Sequence, residues 1–221
     1  MRNKIEILLI FLMIFFTTKE IAMAKSKEIQ LPKPIEAGKL SLEEVILKRR
    51  SERSFIKKDL DLTQIGQLLW AAQGITAKKI GFSFRAAPSA GALYPMEVYL
   101  LSKDGLFHYL PGGHKLEVIS NSDLRDSLAA AALGQKSVKE APIDIVICAV
   151  YQRITGKYGQ RGIRYAHIEA GHIAQNIHLQ AVALGLGSVP IGAFSDKEVE
   201  EILSLSPEQE PVYIIPVGYI K

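Results

Sequence analysis

The chain has 221 residues, 48% of them apolar, which is enough for one sizeable hydrophobic core in a single domain. Its 27 basic residues against 23 acidic ones give a net charge of +4, an excess too small and dispersed to indicate a nucleic-acid partner. The single cysteine, Cys148, excludes an internal disulfide bond and is expected to be a buried apolar residue of a strand.

Residues 1–24 have the layout of a secretory signal peptide. Arg2 and Lys4 precede an apolar run over residues 5–16, and Ala22-Met-Ala24 offers a small-x-small cleavage site. The run is about a dozen residues long, whereas a membrane span needs roughly twenty. We therefore expect an exported protein, periplasmic or extracellular, with no stable membrane span in the mature chain. An uncleaved N-terminal anchor is the alternative.

The predicted domain covers residues 41–221. Residues 25–40 hold Pro32, Pro34 and Gly38 and are predicted to be a linker or an extended arm. Ser41 and Glu44 have the spacing of a capping box, which predicts a helix from residue 41 to about residue 49.

The remaining predicted elements alternate between helices and strands. In chain order they are a helix at 62–72, a strand hairpin at 97–102 and 105–110, an alanine-rich helix at 122–133, a buried strand at 143–150, the longest helix at 165–185, a short helix at 197–203 and a strand at 212–217. Mixed elements with hairpin and crossover connections predict an α+β layered fold.

Three arginines and a serine cluster at the end of the first predicted helix, at Arg49, Arg50, Ser51 and Arg53. Clustered guanidiniums are typical of a phosphate site. Arginines near a helix C-terminus are also favoured by the helix dipole, so a solvated charged face is the alternative.

Two loops of small residues follow, at 88–95 and 185–192. Small residues allow a backbone to lie close against a flat ligand. A flat ring with a phosphate tail describes flavin mononucleotide, FMN. An ordinary surface turn is the alternative for the first loop, and its apolar Leu93 and aromatic Tyr94 argue against it.

Two other sites are disfavoured by the residues around them. Glu169 and His172 are three residues apart, as in diiron bundles, but the second such pair and the further glutamates are lacking, and no zinc-ligand spacing occurs, so we expect no metal site. Residues 54–57 match the S-x-x-K pattern of serine enzymes that react with penicillin, but no companion motif follows.

Taken together, these motifs resemble the nitroreductase family of FMN enzymes, and within it the SagB-type dehydrogenase branch. The matching segments, in the family's order, are residues 49–55, 88–97, 169–176, 185–192 and 216–219. The resemblance implies an α+β nitroreductase-like sandwich, with a mixed sheet packed by helices. It also implies a homodimer formed through the long central helix, with FMN at the dimer interface.

The resemblance assigns roles to four groups of residues. The FMN phosphate, the ribityl chain and the N1–O2 edge of the ring would be held by Arg49, Arg50, Ser51 and Arg53. The ring would be lined by a segment of the partner subunit, Pro88, Ser89, Ala90 and Gly91, and would also be contacted by Gly187 and Ser188. Lys221 would be the basic C-terminal residue at the phosphate.

The function implied is that of an FMN-dependent oxidoreductase that transfers a hydride through flavin N5 to or from a small organic substrate, with NAD(P)H as a candidate donor. Tyr94 and Tyr165 are candidates for proton transfer at the substrate. SagB-type relatives oxidise azoline rings in modified peptides, and other branches reduce nitroaromatics or quinones. The alternative is a flavin-binding carrier or interaction protein without turnover.

Overall fold

The structure, a computed structural model, describes residues 27–221, so the predicted signal peptide or anchor lies outside the described residues. The strands are β1 (Glu28–Gln30), β2 (Ile75–Lys79), β3 (Phe82–Arg85), β4 (Met96–Ser102), β5 (Gly105–Leu110), β6 (Lys115–Ser120), β7 (Ile143–Ala149), β8 (Gly187–Ser188) and β9 (Glu210–Gly218). The helices are α1 (Leu42–Lys48), α2 (Leu62–Gln73), α3 (Arg125–Ala131), α4 (Lys136–Glu140), α5 (Gln152–Tyr158), α6 (Arg161–Ala183) and α7 (Asp196–Leu203).

Seven strands form the main sheet in the order β1-β6-β5-β4-β7-β9-β8, and β2 and β3 form a separate hairpin. Every strand pair of the main sheet is antiparallel. The expected mixed sheet is therefore an antiparallel one, and the parallel pairing that the described residues contain is an isolated bridge between Ser51 and Ser188. That bridge lies at the candidate site.

Both faces of the central strands are covered by helices, which explains the long apolar run of β7. On one face Ile145 packs in the same cluster as Ile173 of α6. On the other face Val146 and Cys148 pack with Leu128 of α3. Cys148 is fully buried, as the sequence predicts, and burial raises the pKa of its thiol. The result is a layered α+β sandwich, which confirms the predicted fold class.

Side-chain caps set the starts of α1 and α2. Ser41 Oγ accepts a hydrogen bond from the backbone N–H of Glu44 at 3.2 Å, and the Glu44 carboxylate accepts one from Ser41 N–H at 3.0 Å. Asp61 and Gln64 form the same arrangement at α2. A cap of this kind stabilises a helix by about 1 kcal/mol. Both predicted helices are confirmed.

Helix α6 begins at Arg161, four residues before its predicted start, and forms the centre of one layer. Ala166, Ala170, Ile173 and Ile177 are fully buried and recur at helical spacing, so one side of α6 faces the sheet. The opposite side is open, and Ile168 there is 49% exposed. No helix in residues 27–221 is both long enough and apolar enough to cross a membrane.

Several short elements are absent from the sequence prediction. Strand β1 lies inside the predicted arm and pairs with residues 115–117 of β6, so this part of the arm belongs to the sheet. The predicted alanine-rich helix is shorter than expected, since α3 covers residues 125–131. Helix α5, also unpredicted, packs on the start of α6 and borders the candidate site.

Candidate functional site

The arginine segment, residues 49–53, runs directly beside the Gly187–Ser188 strand. Ser51 bridges Ser188, and the backbone N–H of Glu52 donates to the Ser188 carbonyl at 3.0 Å. A Cβ added at Gly187 would lie 2.7 Å from Glu52 Cβ, so only glycine allows this approach. Two of the predicted site segments, far apart in sequence, are therefore joined in the structure.

The guanidiniums of this segment retain free hydrogen-bonding capacity. Arg49 is half-buried, whereas Arg50 and Arg53 are exposed. Arg50 Nη1 donates to the carbonyl of Arg49 at 2.7 Å, and Arg53 Nη1 donates to the carbonyl of Ser51 at 3.2 Å. Within residues 27–221 none of the three arginines forms an ion pair with a carboxylate. Three uncompensated cations with free donors suit the phosphate of FMN.

A buried histidine of α6 connects the two segments. His178 is 3% exposed; its Nε2 lies 3.3 Å from Arg49 Nη1 and its Nδ1 lies 2.7 Å from Ser188 Oγ. Burial, together with the nearby Arg49 charge, lowers the pKa of His178 to about 4. The ring is therefore neutral at neutral pH. None of the sequence motifs described above includes this residue.

The loop over residues 88–95 is strained. After the exposed Pro88, a single 3-10 turn covers Ala90–Ala92, and the φ angles of Gly91, Ala92 and Tyr94 are +65°, +54° and +48°. A non-glycine residue in this region costs about 1–3 kcal/mol. Ser89 Oγ compensates in part by accepting a hydrogen bond from Tyr94 N–H at 2.9 Å. Two non-glycine residues with positive φ in one short loop are more backbone strain than an ordinary surface turn carries, and such strain is typical of functional sites.

A charged network anchors this loop to the sheet. Arg153 Nη1 donates to the Tyr94 carbonyl at 3.3 Å and pairs with Glu97, whose other oxygen lies 2.8 Å from His108 Nε2. Burial alone would raise the pKa of Glu97, but the His108 hydrogen bond and the Arg153 charge lower it overall. Burial opposes charging of His108 as well, yet Glu97 and Glu117 raise its pKa. The network therefore favours the charged forms of both Glu97 and His108.

The two tyrosines predicted for proton transfer have defined partners. Tyr94 Oη accepts a hydrogen bond from the backbone N–H of Arg85 at 3.1 Å, and the Arg85 guanidinium lies 4.5 Å from the Tyr94 ring. Tyr165 packs edge-on against Tyr158, with ring centroids 5.2 Å apart. Tyr94 belongs to the loop itself, and its hydroxyl faces the backbone of Arg85.

Two residues that sequence reasoning missed border the loop. A Cβ at Gly91 would be 2.8 Å from the Tyr158 hydroxyl and 3.1 Å from Lys157 Nζ. A phenol and an ammonium group therefore border the predicted ring-lining segment. Both belong to the end of α5, and the sequence signal for them is only a Lys-Tyr pair followed by a glycine.

Glu169 is the buried carboxyl group of α6 and is 1% exposed. Its Oε1 accepts a hydrogen bond from Gln73 Nε2 at 3.3 Å, while Oε2 has no hydrogen-bond partner among residues 27–221. Burial raises the pKa of Glu169, and Ser89 and Gln73 offset this only in part. In the described part of the chain no group of three or more His, Cys, Asp or Glu residues could hold a metal ion.

The loop and the arginine segment meet α6 at different points. Glu169 and Ser89 mark one point, and His178 with Arg49 marks the other. The two α6 residues are nine positions apart, which is about 14 Å along the axis of a helix. Within one chain the two halves of the predicted site are therefore separated along the same helix.

Lys221 lies elsewhere. Its Nζ pairs with Glu140 at 3.0 Å, and the two residues line a cleft of about 1070 Å³ together with Phe55 and Arg125. None of residues 49–53 lines this cleft. The structure thus gives Lys221 a carboxylate partner and does not bring it to the guanidiniums.

Comparison with known proteins identifies relatives of the whole domain. The family model described as the nitroreductase family matches residues 46–219. A protein of Methanocaldococcus jannaschii, provisionally described as a nitroreductase, is 41% identical over 202 residues, which cover 89% of this chain and 98% of that protein. A crystal structure of a provisionally assigned nitroreductase from Ralstonia eutropha JMP134 superposes with a TM-score of 0.79 at 31% identity, covering 88% of this chain and 90% of the other.

One further relative has a more specific name. The microcin B17-processing protein McbC of Escherichia coli is 29% identical over 160 residues. The match covers 67% of this chain and 58% of McbC, so this chain spans little more than half the length of that protein.

Proposed function

Because this chain belongs to the nitroreductase family of oxidoreductases, we propose that it binds FMN and transfers a hydride through flavin N5 to or from a small organic substrate. The observation that carries the proposal is the arginine segment. Its three guanidiniums have no carboxylate partner in the described chain and lie against the Gly187–Ser188 strand. An anionic ligand with a flat ring satisfies both features.

The residues present fit the cofactor. Arg49, Arg50 and Arg53 would hold the phosphate and the N1–O2 edge of the ring, and Ser51 would contact the ribityl chain. The Ser188 hydroxyl lies beside this segment and would meet the edge of the ring. When bound, FMN would supply the electron chemistry, while the protein supplies orientation and charge.

We further propose that a second copy of the chain completes the site with its Ser89–Gly91 loop. The separation of the two halves along α6 supports this arrangement, since one chain does not join them. The open side of α6 supports it as well: Ile168 is half exposed, and a Cβ at Gly171 would meet nothing within 4 Å. Two α6 helices could approach closely on that side.

Three tyrosines are candidate sources of the proton at the substrate in this arrangement. Tyr158 and Lys157 border the loop at Gly91, and Tyr94 keeps its own phenolic hydrogen because its oxygen only accepts from Arg85. We therefore add Tyr158 to Tyr94 and Tyr165 as a candidate acid, since its hydroxyl would lie 2.8 Å from a Cβ at Gly91.

A second candidate substrate class is a modified peptide. McbC is, by its name, a microcin B17-processing protein, and 67% of this chain matches 58% of its length. Azoline oxidation by this chain would use the same flavin site. The non-enzymatic alternative is a flavin carrier without turnover.

Purification of the chain tests these alternatives directly. We expect about one FMN per protomer, bleaching of the flavin by NAD(P)H without oxygen, and reoxidation by a quinone or a nitroaromatic compound. A yellow protein that donors and acceptors leave unchanged would support the carrier. A colourless protein that does not bind added FMN would contradict the proposal.

A further inference from the structure

His178 makes two hydrogen bonds whose directions are determined by its partners. One ring nitrogen, Nε2, faces the Arg49 guanidinium at 3.3 Å, and the other, Nδ1, faces Ser188 Oγ at 2.7 Å. A guanidinium has only donors. Nε2 must therefore accept from Arg49, and it carries no proton.

The neutral ring then has its single proton on Nδ1. Burial opposes a second proton, and the positive charge of Arg49 opposes it too; together they lower the pKa of His178 to about 4. No carboxylate hydrogen-bonds to His178, whose described partners are Arg49 and Ser188. With the proton on Nδ1, the imidazole donates to Ser188 Oγ.

This leaves the hydrogen of the Ser188 hydroxyl group without a partner in the chain. Ser188 is 1% exposed, and His178 is the hydrogen-bond partner of its Oγ within residues 27–221. A buried hydroxyl hydrogen that finds no acceptor is costly. Because Oγ accepts from His178, its own hydrogen is not used in that bond and is left to donate to a further group.

We infer that His178 is a positioning residue that holds the Arg49 guanidinium in place and makes the Ser188 hydroxyl a hydrogen-bond donor to the bound ligand. The inference rests on the proposed flavin site and deepens it. The ligand atom that takes the Ser188 hydrogen is then an acceptor, a carbonyl oxygen or an unprotonated ring nitrogen. The bond from His178 to Arg49 affects how the phosphate is held, and the bond from His178 to Ser188 affects how the ring is held.

The first experiment needs no ligand. The ring ¹⁵N chemical shifts of His178 in the ligand-free full chain report which nitrogen carries the proton. We expect a proton on Nδ1 and a bare Nε2 at pH 7, with no second proton until the pH approaches 4. A proton on Nε2, or a charged ring at pH 7, would overturn the inference.

The second experiment separates the two halves with amide side chains of different length. His178→Gln places an amide oxygen near the position of Nε2 and keeps the acceptor for Arg49. His178→Asn places an amide N–H near the position of Nδ1 and keeps the donor for Ser188. His178→Phe keeps a ring of similar shape and loses both bonds.

Dissociation constants for FMN and riboflavin, which lacks the phosphate, give the readout. We expect His178→Phe to weaken FMN about tenfold or more, which corresponds to the loss of roughly one to two hydrogen bonds. His178→Gln should restore the preference for FMN over riboflavin, and His178→Asn should restore riboflavin affinity. His114→Phe, at a histidine in the β5–β6 turn that bonds to Tyr109, is the matched control and should leave both constants unchanged.

The outcomes are distinct. A wild-type chain that binds no flavin would refute the proposed function and this inference with it. A wild-type chain that binds FMN, with His178→Phe binding equally well, would refute the inference alone. If His178→Phe does not fold, as judged by circular dichroism, identical flavin affinities of the Gln and Asn variants would still overturn it.

Discussion

At the scale of single residues, the arginine segment is a local concentration of positive charge that the protein itself does not neutralise. Like charges at short range repel, and such repulsion is reduced when an anion binds. Arg50 and Arg53 are exposed, and their described hydrogen bonds go to backbone carbonyls. The segment is therefore expected to gain order and stability from a phosphate.

Replacing Arg53 with alanine tests this expectation. Loss of a charge-assisted hydrogen bond to the phosphate should cost about 1.5–3 kcal/mol of FMN binding, measured by titration of the flavin. Lys103→Ala removes the same charge from an exposed pair with Asp59 and is the control. An Arg53→Ala variant with the dissociation constant of the wild type would show that the segment is only a solvated face.

The lowered pKa of His178 predicts how stability depends on pH. Between the ordinary pKa of 6.5 and the folded value of about 4, the unfolded chain binds a proton that the folded chain does not. The free energy of unfolding should therefore decrease as the pH falls through this window, by on the order of 3 kcal/mol at most, and level off below it. Urea unfolding of the wild type and of His178→Phe at pH 7, 5 and 4 measures this contribution. If the free energy of unfolding changes equally with pH in both proteins, the prediction is contradicted.

At the scale of elements, the 88–95 loop carries backbone strain that its neighbours compensate. Tyr94 is held through its N–H by Ser89, through its carbonyl by Arg153 and through its hydroxyl by Arg85. The loop conformation is thus held by one contact within the loop and by two contacts from β3 and α5. A rigid loop of small residues is what close contact with a flat ring requires.

Glycine at position 92 should relieve part of that strain. Ala92 has φ +54°, which glycine adopts without steric cost, so Ala92→Gly is expected to raise the free energy of unfolding by about 1 kcal/mol or less. Ala90→Gly in the same turn lacks a positive φ and should instead destabilise, because glycine adds entropy to the unfolded chain. Equal effects of the two substitutions in denaturant unfolding would show that Ala92 is unstrained.

The contact between the arginine segment and β8 depends on the absence of a side chain at Gly187. Gly187→Ala should destabilise by about 1–3 kcal/mol and weaken FMN binding, because its Cβ would overlap Ile220 Cγ2 and would lie 2.7 Å from Glu52 Cβ. Gly156→Ala, in α5, meets nothing within 4 Å and should stabilise by about 0.5–1 kcal/mol. Thermal unfolding of both variants provides the comparison, and a neutral Gly187→Ala would argue against the close approach.

At the scale of the whole molecule, the open side of α6 and the separated halves of the site favour a homodimer. Gly171→Leu places a large side chain on that side without a clash inside the chain, since a Cβ at Gly171 meets nothing within 4 Å. We expect it to dissociate the dimer and to release FMN, as measured by analytical ultracentrifugation and flavin absorbance. A dimer that tolerates leucine there would place the interface elsewhere.

Export remains a proposal for the whole chain, because residues 1–24 lie outside the described residues. Expression in a bacterial host should give a mature protein that starts after Ala24, and its intact mass decides this. A chain of full mass in the membrane fraction would support the anchor instead.

Much of the architecture is encoded locally. The capping box at Ser41, the apolar spacing of α6 and the apolar run of β7 each involve residues within a few turns or one strand, so their elements could be predicted. Strand β1 could not, because three residues pair only where β6 offers an edge. Helix α5 likewise lacks a cap or an apolar period and depends on its packing against α6.

Periodicity and short motifs depend on neighbouring residues, so the sequence by itself determined the fold class and the arginine and small-residue segments. The family followed from the resemblance that those motifs carry. Only the tertiary structure decided that His178 contacts both Ser188 and Arg49, which lies 129 residues before it in the chain, and that Tyr158 borders the loop at Gly91. It also gave Lys221 a partner in Glu140. Such contacts arise when distant segments pack on one helix and one sheet, and no local pattern of residues encodes that packing.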